Sequence, residues 1–295
     1  SGKDGDMKSR KIGLHQFMAV PAFALYAVFF IYPLLKGIGL CFTDWDGIKA
    51  AHFVGLRNFI DFFHDQRALS DIRTTVLFTL GSAPLLNIVG LVYALLMNSE
   101  FRGKSIARMC IYMPAIISPL IMGYIWYFLL QPGRGFLYHF FDGLGHPEWF
   151  GNWMGNYKSA LLVIVLVNVW QYAGMTMVIY LAGLQGISRD LYEAAKIDGA
   201  RWVDGFLHVT LPLLGPSIRI NVITNIIGSL SVFDIVMSLT GGGPGYQTET
   251  LSIYIMRMCY GSKTGYSVAV AIILFLIVLI PVAASSWLMR KKEED

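Results

Sequence analysis

The chain alternates between long apolar stretches and short segments rich in charged residues. A helix that crosses a bilayer core of about 30 Å needs roughly 20 apolar residues in a row. Six stretches meet this requirement, at about residues 15–41, 73–97, 106–130, 158–184, 210–240 and 266–289. Because backbone polar groups inside lipid must be bonded within their own segment, these stretches predict helices. The pattern therefore predicts an all-α polytopic membrane protein with six transmembrane helices.

The composition supports this prediction. Of the 295 residues, 55% are hydrophobic and 14% are charged, whereas a soluble domain carries about 25% charged residues. The 3 Cys are scattered and show neither a disulfide framework nor the spacing of metal ligands. The net charge of +4 is too small to indicate a nucleic-acid partner. These exclusions leave a membrane protein surrounded by lipid.

The segment before the first span is basic, with Lys3, Lys8, Arg10 and Lys11. It resembles the start of a signal peptide, but the apolar stretch that follows is too long and has no cleavage site. The first span is therefore interpreted as an uncleaved membrane anchor. Residues 1–6, which precede Met7, are interpreted as an expression scar, so that 7–295 form a single transmembrane domain.

Basic residues predict the orientation, because cytoplasmic segments are enriched in Lys and Arg. With the N-terminus inside, the cytoplasmic segments hold Lys3, Lys8, Arg10, Lys11, Arg102, Lys104, Arg108, Arg189, Lys196, Arg201, Arg290, Lys291 and Lys292. The outer segments are longer but hold fewer basic residues. Both termini are therefore predicted to be cytoplasmic.

The segment between the fourth and fifth spans predicts a short amphipathic helix over about residues 188–199. Ser188 is a suitable N-cap, and Asp190 lies in the first turn, where a carboxylate favours the helix dipole. Gly199 suits a left-handed C-terminal cap, and Pro212 marks the start of the next helix. By periodicity alone, this helix either lies passively on the headgroups or docks against a partner.

The residues of this segment resemble the EAA signature of permease subunits of binding-protein-dependent ABC importers. The matching residues are Glu193, Ala194, Ala195, Asp198, Gly199, Phe206, Val209, Leu211, Pro212 and Pro216. The resemblance implies the type I ABC importer permease fold, in which this helix is the coupling helix that seats in a cleft of the cytoplasmic ATPase. It assigns the return of the chain into the membrane to Leu211 and Pro212, and ATPase docking to Glu193, Ala194, Ala195, Asp198 and Gly199.

The resemblance extends along most of the chain. Residues 53–59, 101–104 and 113–114 are similar to the family's segments before and within its spans. The glycine-rich segment 240–245 resembles the outer loop of the carbohydrate-uptake members, including the maltose-transporter permease family.

Polar residues within two spans are candidates for contact with a solute, because such residues are costly in lipid. The candidates are Asn168, Trp170, Gln171, Tyr172 and Met175 in the fourth span, and Asn225, Ser229 and Val232 in the fifth. One interpretation is that they join helices by hydrogen bonds; the other is that they line a solvated pathway. In the maltose-transporter permease family, the positions similar to 168–172, Asn225 and Ser229 contact sugar, and amides, hydroxyls and aromatic rings suit sugar recognition.

Arg219 and Asp234 are the two charged residues well inside the fifth span. Arg219 is interpreted as snorkelling to the cytoplasmic surface or as facing the pathway. Asp234 lies near the outer mouth, where it contacts the delivering protein, contacts the solute or caps a neighbouring helix.

The chain shows no ATP-binding motif of its own. The fragment 261–264 lacks the spacing of a phosphate-binding loop, and the six His show no metal-ligand pattern. We therefore expect no cofactor bound by this chain and no enzymatic activity. ATP and Mg²⁺ are expected to be used by a separate ATPase.

The sequence therefore predicts the membrane-spanning permease subunit of an ATP-driven importer, which forms half of a pathway for a sugar or oligosaccharide. The resemblance implies a second, non-identical permease subunit, a dimeric ATPase, an extracytoplasmic solute-binding protein and the cytoplasmic membrane of a bacterium or archaeon. Alternatives within the class are a non-sugar such as glycerol phosphate, or an oligomer derived from a polysaccharide. An ion-coupled secondary transporter would need buried midplane carboxylates and an inverted repeat, and a membrane enzyme would need a catalytic cluster.

Overall fold

The computed structural model describes residues 14–146 and 150–294, and the interpretation of residues 1–6 lies outside this part of the chain. Within the described residues, β-type pairing is limited to one antiparallel bridge between Thr43 and Phe53. The helices are α1 (Leu14–Tyr26), α2 (Tyr32–Leu40), α3 (Arg57–His64), α4 (Gln66–Asn98), α5 (Lys104–Ile116), α6 (Pro119–Leu129), α7 (Phe136–Gly143), α8 (Tyr157–Gln185), α9 (Arg189–Ile197), α10 (Trp202–Gly205), α11 (Leu211–Leu213), α12 (Gly215–Leu230), α13 (Asp234–Leu239), α14 (Leu251–Tyr260) and α15 (Thr264–Glu294).

Four helical segments of the described chain are long and apolar enough to cross a membrane, namely Val20–Leu40, α4, α8 and Thr264–Trp287 within α15. Two bent pairs raise this number to six. One pair is α5 with α6, bent by 95°, and the other is Trp202–Leu213 with α12, bent by 68°. The predicted all-α membrane fold is confirmed, with four to six candidate spans.

The third predicted span, 106–130, is broken between α5 and α6. Ile117 and Ser118 have extended backbones, with ψ angles of 136° and 132°. Ser118 directly precedes Pro119, whose ring disfavours a helical conformation in the residue before it. The apolar composition of this stretch predicts one continuous helix, but the Ser-Pro step divides it into two.

The fifth predicted span, 210–240, is also interrupted. α12 ends at Leu230 and α13 begins at Asp234. The carbonyl of Val232, which the break releases from helical bonding, accepts a hydrogen bond from Thr250 Oγ1 at 2.9 Å. A side chain from the following segment therefore satisfies the backbone at the break, as membrane-depth irregularities require.

The helical chain that leads into α12 begins earlier than predicted, at Trp202 rather than at Pro212. A π-helical turn, Phe206–Thr210, directly precedes Leu211 and Pro212. A second π turn, Ala27–Ile31, stands in the same relation to Pro33. Proline has no backbone N–H for the ordinary helical bond, so both helices take a wider turn just before it and continue.

α4 and α8 pack most closely in the centre of the bundle. A Cβ at Gly90 of α4 would lie 2.5 Å from Thr176 Cγ2 of α8, so the two backbones approach at a point where no side chain fits. Asn168 Nδ2 donates to Ser82 Oγ at 2.6 Å, and Tyr180 OH donates to Asn87 Oδ1 at 2.7 Å. Small residues and buried interhelical hydrogen bonds are the usual means by which membrane helices associate, and they hold α8 in place as one wall of the site described next.

Candidate functional site

A cavity of about 370 Å³ lies where α8, α12 and the α12–α13 break meet. Leu86 of α4 and Pro119 at the start of α6 complete its wall. The site thus lies beside both helix breaks, because the interruptions in the third and fifth predicted spans leave space that continuous helices would fill.

The structure brings most of the predicted pathway residues together at this cavity. The residues that line it are Asn168, Tyr172, Met175, Asn225, Ser229 and Val232. The first three lie at i, i+4 and i+7 of α8, which is one face of a helix. The polar faces of α8 and α12, which are far apart in sequence, therefore meet at the same cavity.

Trp170 and Gln171 do not line the cavity. Gln171 is fully buried, and its Nε2 donates to the carbonyl of Ile117 at 3.0 Å, so it satisfies the backbone at the α5–α6 break. Trp170 packs edge-to-face against Trp126, with ring centroids 5.6 Å apart. Trp170, two residues after Asn168, faces the opposite side of α8. Gln171, at i+3 of Asn168, lies at the edge of the face that carries Asn168 and Tyr172, and its hydrogen bond directs it to the α5–α6 break.

Thr176 links the two walls, and the sequence reasoning missed it. Asn225 Nδ2 donates to Thr176 Oγ1 at 3.3 Å, and Asn221 Nδ2 donates to the Thr176 carbonyl at 3.3 Å. Thr176 lies eight residues after Asn168 and so shares its helical face. That spacing is the signal that identifies it.

Two residues that line the cavity each carry one buried side-chain atom without a hydrogen-bond partner within the described chain. They are Asn221 Oδ1 and Ser229 Oγ. A buried polar atom without a partner costs roughly 1–3 kcal/mol. A turn of either side chain toward the cavity would offer this atom to a hydroxyl-bearing guest, so the chemistry of the lining suits a hydrogen-bonding solute.

The two charged residues of the fifth predicted span occupy different places. Asp234 is exposed and lines the cavity. Arg219 is not among the lining residues, and its Nη2 donates to Ser286 Oγ of α15 at 2.9 Å.

The helix α9 has the ends that the sequence predicts. The Ser188 side chain accepts from the Asp190 N–H at 3.3 Å. Gly199 is left-handed, with φ +82°, its N–H donates to the Lys196 carbonyl, and the Ala200 N–H donates to the Ala195 carbonyl. This pair of bonds is a Schellman cap, so short-range sequence signals define the helix.

Most of the surface of α9 is exposed. Glu193, Ala194, Asp198 and Gly199 are exposed, and Ala195 is half-buried. Tyr192 OH lies 3.0 Å from Thr210 Oγ1 and connects α9 to the segment that leads into α12. In that segment Leu211 is half-buried and Pro212 is exposed.

Large apolar side chains near α9 are also exposed. Ile197 is 87% exposed and Trp202 is 74% exposed. Trp202 stacks on Phe206 with ring centroids 5.9 Å apart, so its outer face presents a flat apolar surface. Such a surface beside an exposed helix marks a place where another protein binds or where lipid is contacted.

A second polar centre lies at the glycine-rich loop, and the sequence reasoning missed its charges. Glu249 is fully buried and forms ion pairs with Arg67 at 2.7 Å and Arg257 at 2.8 Å. The Arg67 guanidinium also lies 3.8 Å from the ring centroid of Tyr246. Arg67 lies 182 residues from Glu249, so no local pattern identifies the three together.

Asp65 extends this centre at the N-terminus of α4. It accepts hydrogen bonds from Tyr254 OH, from Tyr266 OH at 3.3 Å and from the Arg67 N–H at 2.9 Å. Burial alone would raise the pKa of Asp65, but these hydrogen bonds together outweigh it and hold the pKa below its usual value. The Asp65 carboxylate is therefore a structural anion. No group of side chains within the described residues is arranged to hold a metal ion.

Comparison with known proteins shows which family model the chain matches. The model of the binding-protein-dependent transport system inner membrane component matches residues 87–293. A probable starch degradation products transport system permease protein, AmyD of Thermoanaerobacterium thermosulfurigenes, is 32% identical over 95% of this chain and 94% of that protein.

Two further relatives have similar coverage. The trehalose/maltose transport system permease protein MalF of Thermococcus litoralis is 33% identical over 92% of each chain. The sn-glycerol-3-phosphate transport system permease protein UgpA of Yersinia enterocolitica is 33% identical over 90% of each chain.

The fold matches solved structures of a bacterial ABC transporter involved in the import of the acidic polysaccharide alginate. One match has a TM-score of 0.82 at 22% identity and covers 94% of this chain and 95% of that chain. Another, solved in complex with an alginate pentasaccharide-bound periplasmic protein, has a TM-score of 0.83 at 22% identity and covers 95% of each chain.

Proposed function

Because the chain belongs to the family of binding-protein-dependent transport system inner membrane components, we propose that it forms half of the translocation pathway of an ATP-driven importer for a sugar or oligosaccharide. The cavity between α8 and α12 is the part of the pathway that this chain supplies. Asn168, Tyr172, Asn225 and Ser229 offer donors, acceptors and an aromatic ring to the solute.

The observation that carries this proposal is that two residues lining the cavity, Asn221 and Ser229, each hold an unpartnered buried atom, Oδ1 and Oγ. If these residues only joined helices, their polar atoms would be paired across the helix interface, as Thr176 and Asn225 are. Sugar hydroxyls both donate and accept, so they can complete these groups in turn as a solute passes.

The exposed helix α9 is the coupling helix in this account and docks on a dimeric cytoplasmic ATPase that binds ATP and Mg²⁺. Its exposed Glu193 and Ala194 and the neighbouring Ile197 form the contact. Both termini of the chain then lie in the cytoplasm of a bacterium or archaeon. The opposite end faces a solute-binding protein, and a second, non-identical permease subunit supplies the other half of the pathway.

ATP drives the cycle by favouring one of two states. Closure of the ATPase dimer moves α9, and the rigid connection through Tyr192 and Thr210 transmits this motion to α12. α12 carries Asn225 and Ser229, so the cavity wall moves with it. As in any allosteric link, the coupling is an equilibrium bias between an inward-open and an outward-open arrangement.

The pathway is tested with the assembled importer in liposomes. The partner binding protein is first titrated with maltose, trehalose and short maltooligosaccharides, and the tightest-binding sugar is used for uptake. Asn225→Leu and Ser229→Ala are expected to lower uptake about fivefold or more, because each removes a hydrogen bond to the solute. The yield of the complex is expected to stay unchanged.

Ser238→Ala is the matched control, since Ser238 is also buried but donates to the Asp234 carbonyl and does not line the cavity. It is expected to transport at the normal rate. Normal uptake by Asn225→Leu in a correctly assembled complex would show that the cavity is not the pathway.

A further inference from the structure

Asp234 gives the cavity its charge. Among the residues that line it, Asp234 is the single Asp, Glu, Lys, Arg or His, and the rest of the wall consists of neutral polar and apolar side chains. Within the described residues, no ion pair or hydrogen bond reaches the Asp234 carboxylate. Ser238 Oγ donates a hydrogen bond to the backbone carbonyl of Asp234 instead. The negative charge therefore faces the cavity.

Within the described residues, no basic side chain lines the cavity beside this charge. The stretch of α8 from Asn168 to Ile179 contains no charged residue, and α4 and α6 contribute Leu86 and Pro119. The basic residue of α12, Arg219, donates to Ser286 of α15. It lies fifteen positions before Asp234, on the other side of the α12–α13 break, and is not part of the wall.

We propose that Asp234 is a charge-selecting residue, which admits neutral and cationic solutes to the cavity and disfavours anionic ones. The proposal rests on the pathway assigned above and specifies its substrate class. A unit charge about 8 Å from a carboxylate changes the local concentration of an ion by about twofold in a water-like medium and about thirtyfold in a protein-like medium. Selection between a cation and an anion of equal size combines both effects.

The solutes named for the relatives differ in charge. Starch degradation products, trehalose and maltose are neutral, whereas glycerol 3-phosphate and alginate are anions. Asp234 assigns this chain to the neutral group. An anionic solute would need a basic residue on the wall, and the described wall contains none.

The charge of the cavity can be measured without knowing the solute. In the assembled importer, the exposed Cys110 and Cys259 are replaced by Ser, while Cys41 is buried and stays. A single cysteine is introduced as Ser231→Cys or Thr224→Cys, at two exposed positions on the wall. The rates of modification by a trimethylammonium and a sulfonate methanethiosulfonate reagent are compared, each divided by its rate with a small free thiol.

We expect the cationic reagent to react at least about fivefold faster at the cysteine of Ser231→Cys, with a smaller ratio at that of Thr224→Cys, which is farther from Asp234 along the chain. The ratio should fall to near one in Asp234→Asn and shrink at high salt. Asp142→Asn, which removes an exposed carboxylate of α7 outside the cavity, should leave the ratio unchanged.

Failure of the charge selection and failure of the pathway would give different results. Equal rates for both reagents, in the presence and absence of the Asp234 carboxylate, would overturn the charge selection and leave the pathway intact. Failure of both reagents to modify either cysteine would overturn the pathway and the charge selection together, because water-soluble probes would then not reach the cavity.

Discussion

Two glutamates in two polar segments of the chain differ in burial and in ion pairing. Glu249, in the loop before α14, is fully buried between Arg67 and Arg257. Glu193, on α9, is exposed and has no ion-pair partner within the described residues. The loop is thus completed inside the chain, whereas α9 keeps its acidic and apolar side chains available. The difference is what we expect if, as proposed, another protein covers α9 while the loop is stabilised by contacts within the chain.

The largest expected effect comes from breaking the buried ion pairs of the loop before α14. Glu249→Gln leaves the guanidiniums of Arg67 and Arg257 without their carboxylate, and breaking a buried ion pair costs about 3 kcal/mol. We expect the melting temperature of the purified protein to fall by roughly 5–10 °C. Glu100→Gln is the control, because it breaks the exposed pair with Lys104 and should leave the melting temperature nearly unchanged. Equal effects of the two variants would remove the distinction between the buried centre and the surface.

The next largest effect concerns the exposed surface of α9. Ile197→Ser removes an apolar side chain that is 87% exposed, so the free protein should keep its stability. If the ATPase buries this side chain, the affinity for the ATPase should fall about tenfold or more. Ile48→Ser, at a residue that is 88% exposed in the segment before α3, is the matched control and should bind the ATPase normally. The measurement is the equilibrium binding of the purified ATPase, and identical affinities would argue against Ile197 as a contact.

A smaller effect concerns the end of α9. Gly199→Ala places a side chain at φ +82°, where no atom lies within 4 Å of the new Cβ. The cost is therefore conformational, about 1 kcal/mol. Hydrogen exchange should become faster at the last turn of α9. Gly205→Ala adds a Cβ in equally open space within a helix and should protect its own segment slightly. Unchanged exchange in Gly199→Ala would contradict the Schellman cap.

The smallest effect is the dependence of the loop on pH. Asp65→Asn keeps an N-cap residue but removes the carboxylate that Tyr254 and Tyr266 stabilise. Since the folded pKa of Asp65 is lowered, its contribution to stability is present above the unfolded pKa of about 3.9 and is lost as the pH falls through the folded pKa. The difference in melting temperature between the two proteins should be largest near pH 7 and shrink below about pH 4. A difference that grows with acid would reverse the assignment.

The sequence predicts the parts of this molecule that depend on local pattern. The membrane helices follow from apolar length, and Ser188 and Gly199 define α9 through neighbouring backbone groups. The family and its non-enzymatic transport role, read from the signature around Glu193, are confirmed by the family match and the curated relatives. The orientation of the termini and the docking roles of individual residues stay predictions.

The parts that depend on tertiary contacts were not predictable in this way. The break before Pro119 has a local cause, but Gln171, which donates to the Ile117 carbonyl at the break, comes from another helix. Helical spacing assigns Gln171 to the pathway face. Arg67 meets Glu249 and Arg257 only after α4 and α14 pack. A polar residue in a span therefore indicates a site or a helix contact, and its partner in the folded chain, rather than its helical face, distinguishes the two.

The role of α9 is tested most directly by Glu193→Lys in the assembled importer, with sugar uptake and ATP hydrolysis measured in the same liposomes. We predict normal insertion and assembly, loss of most uptake, and loss of the stimulation of ATP hydrolysis by the loaded binding protein, because a lysine at this exposed position opposes the basic partner that Glu193 would meet. Uptake and stimulation at the normal rates in a fully assembled complex would contradict the assignment of α9 as the coupling helix.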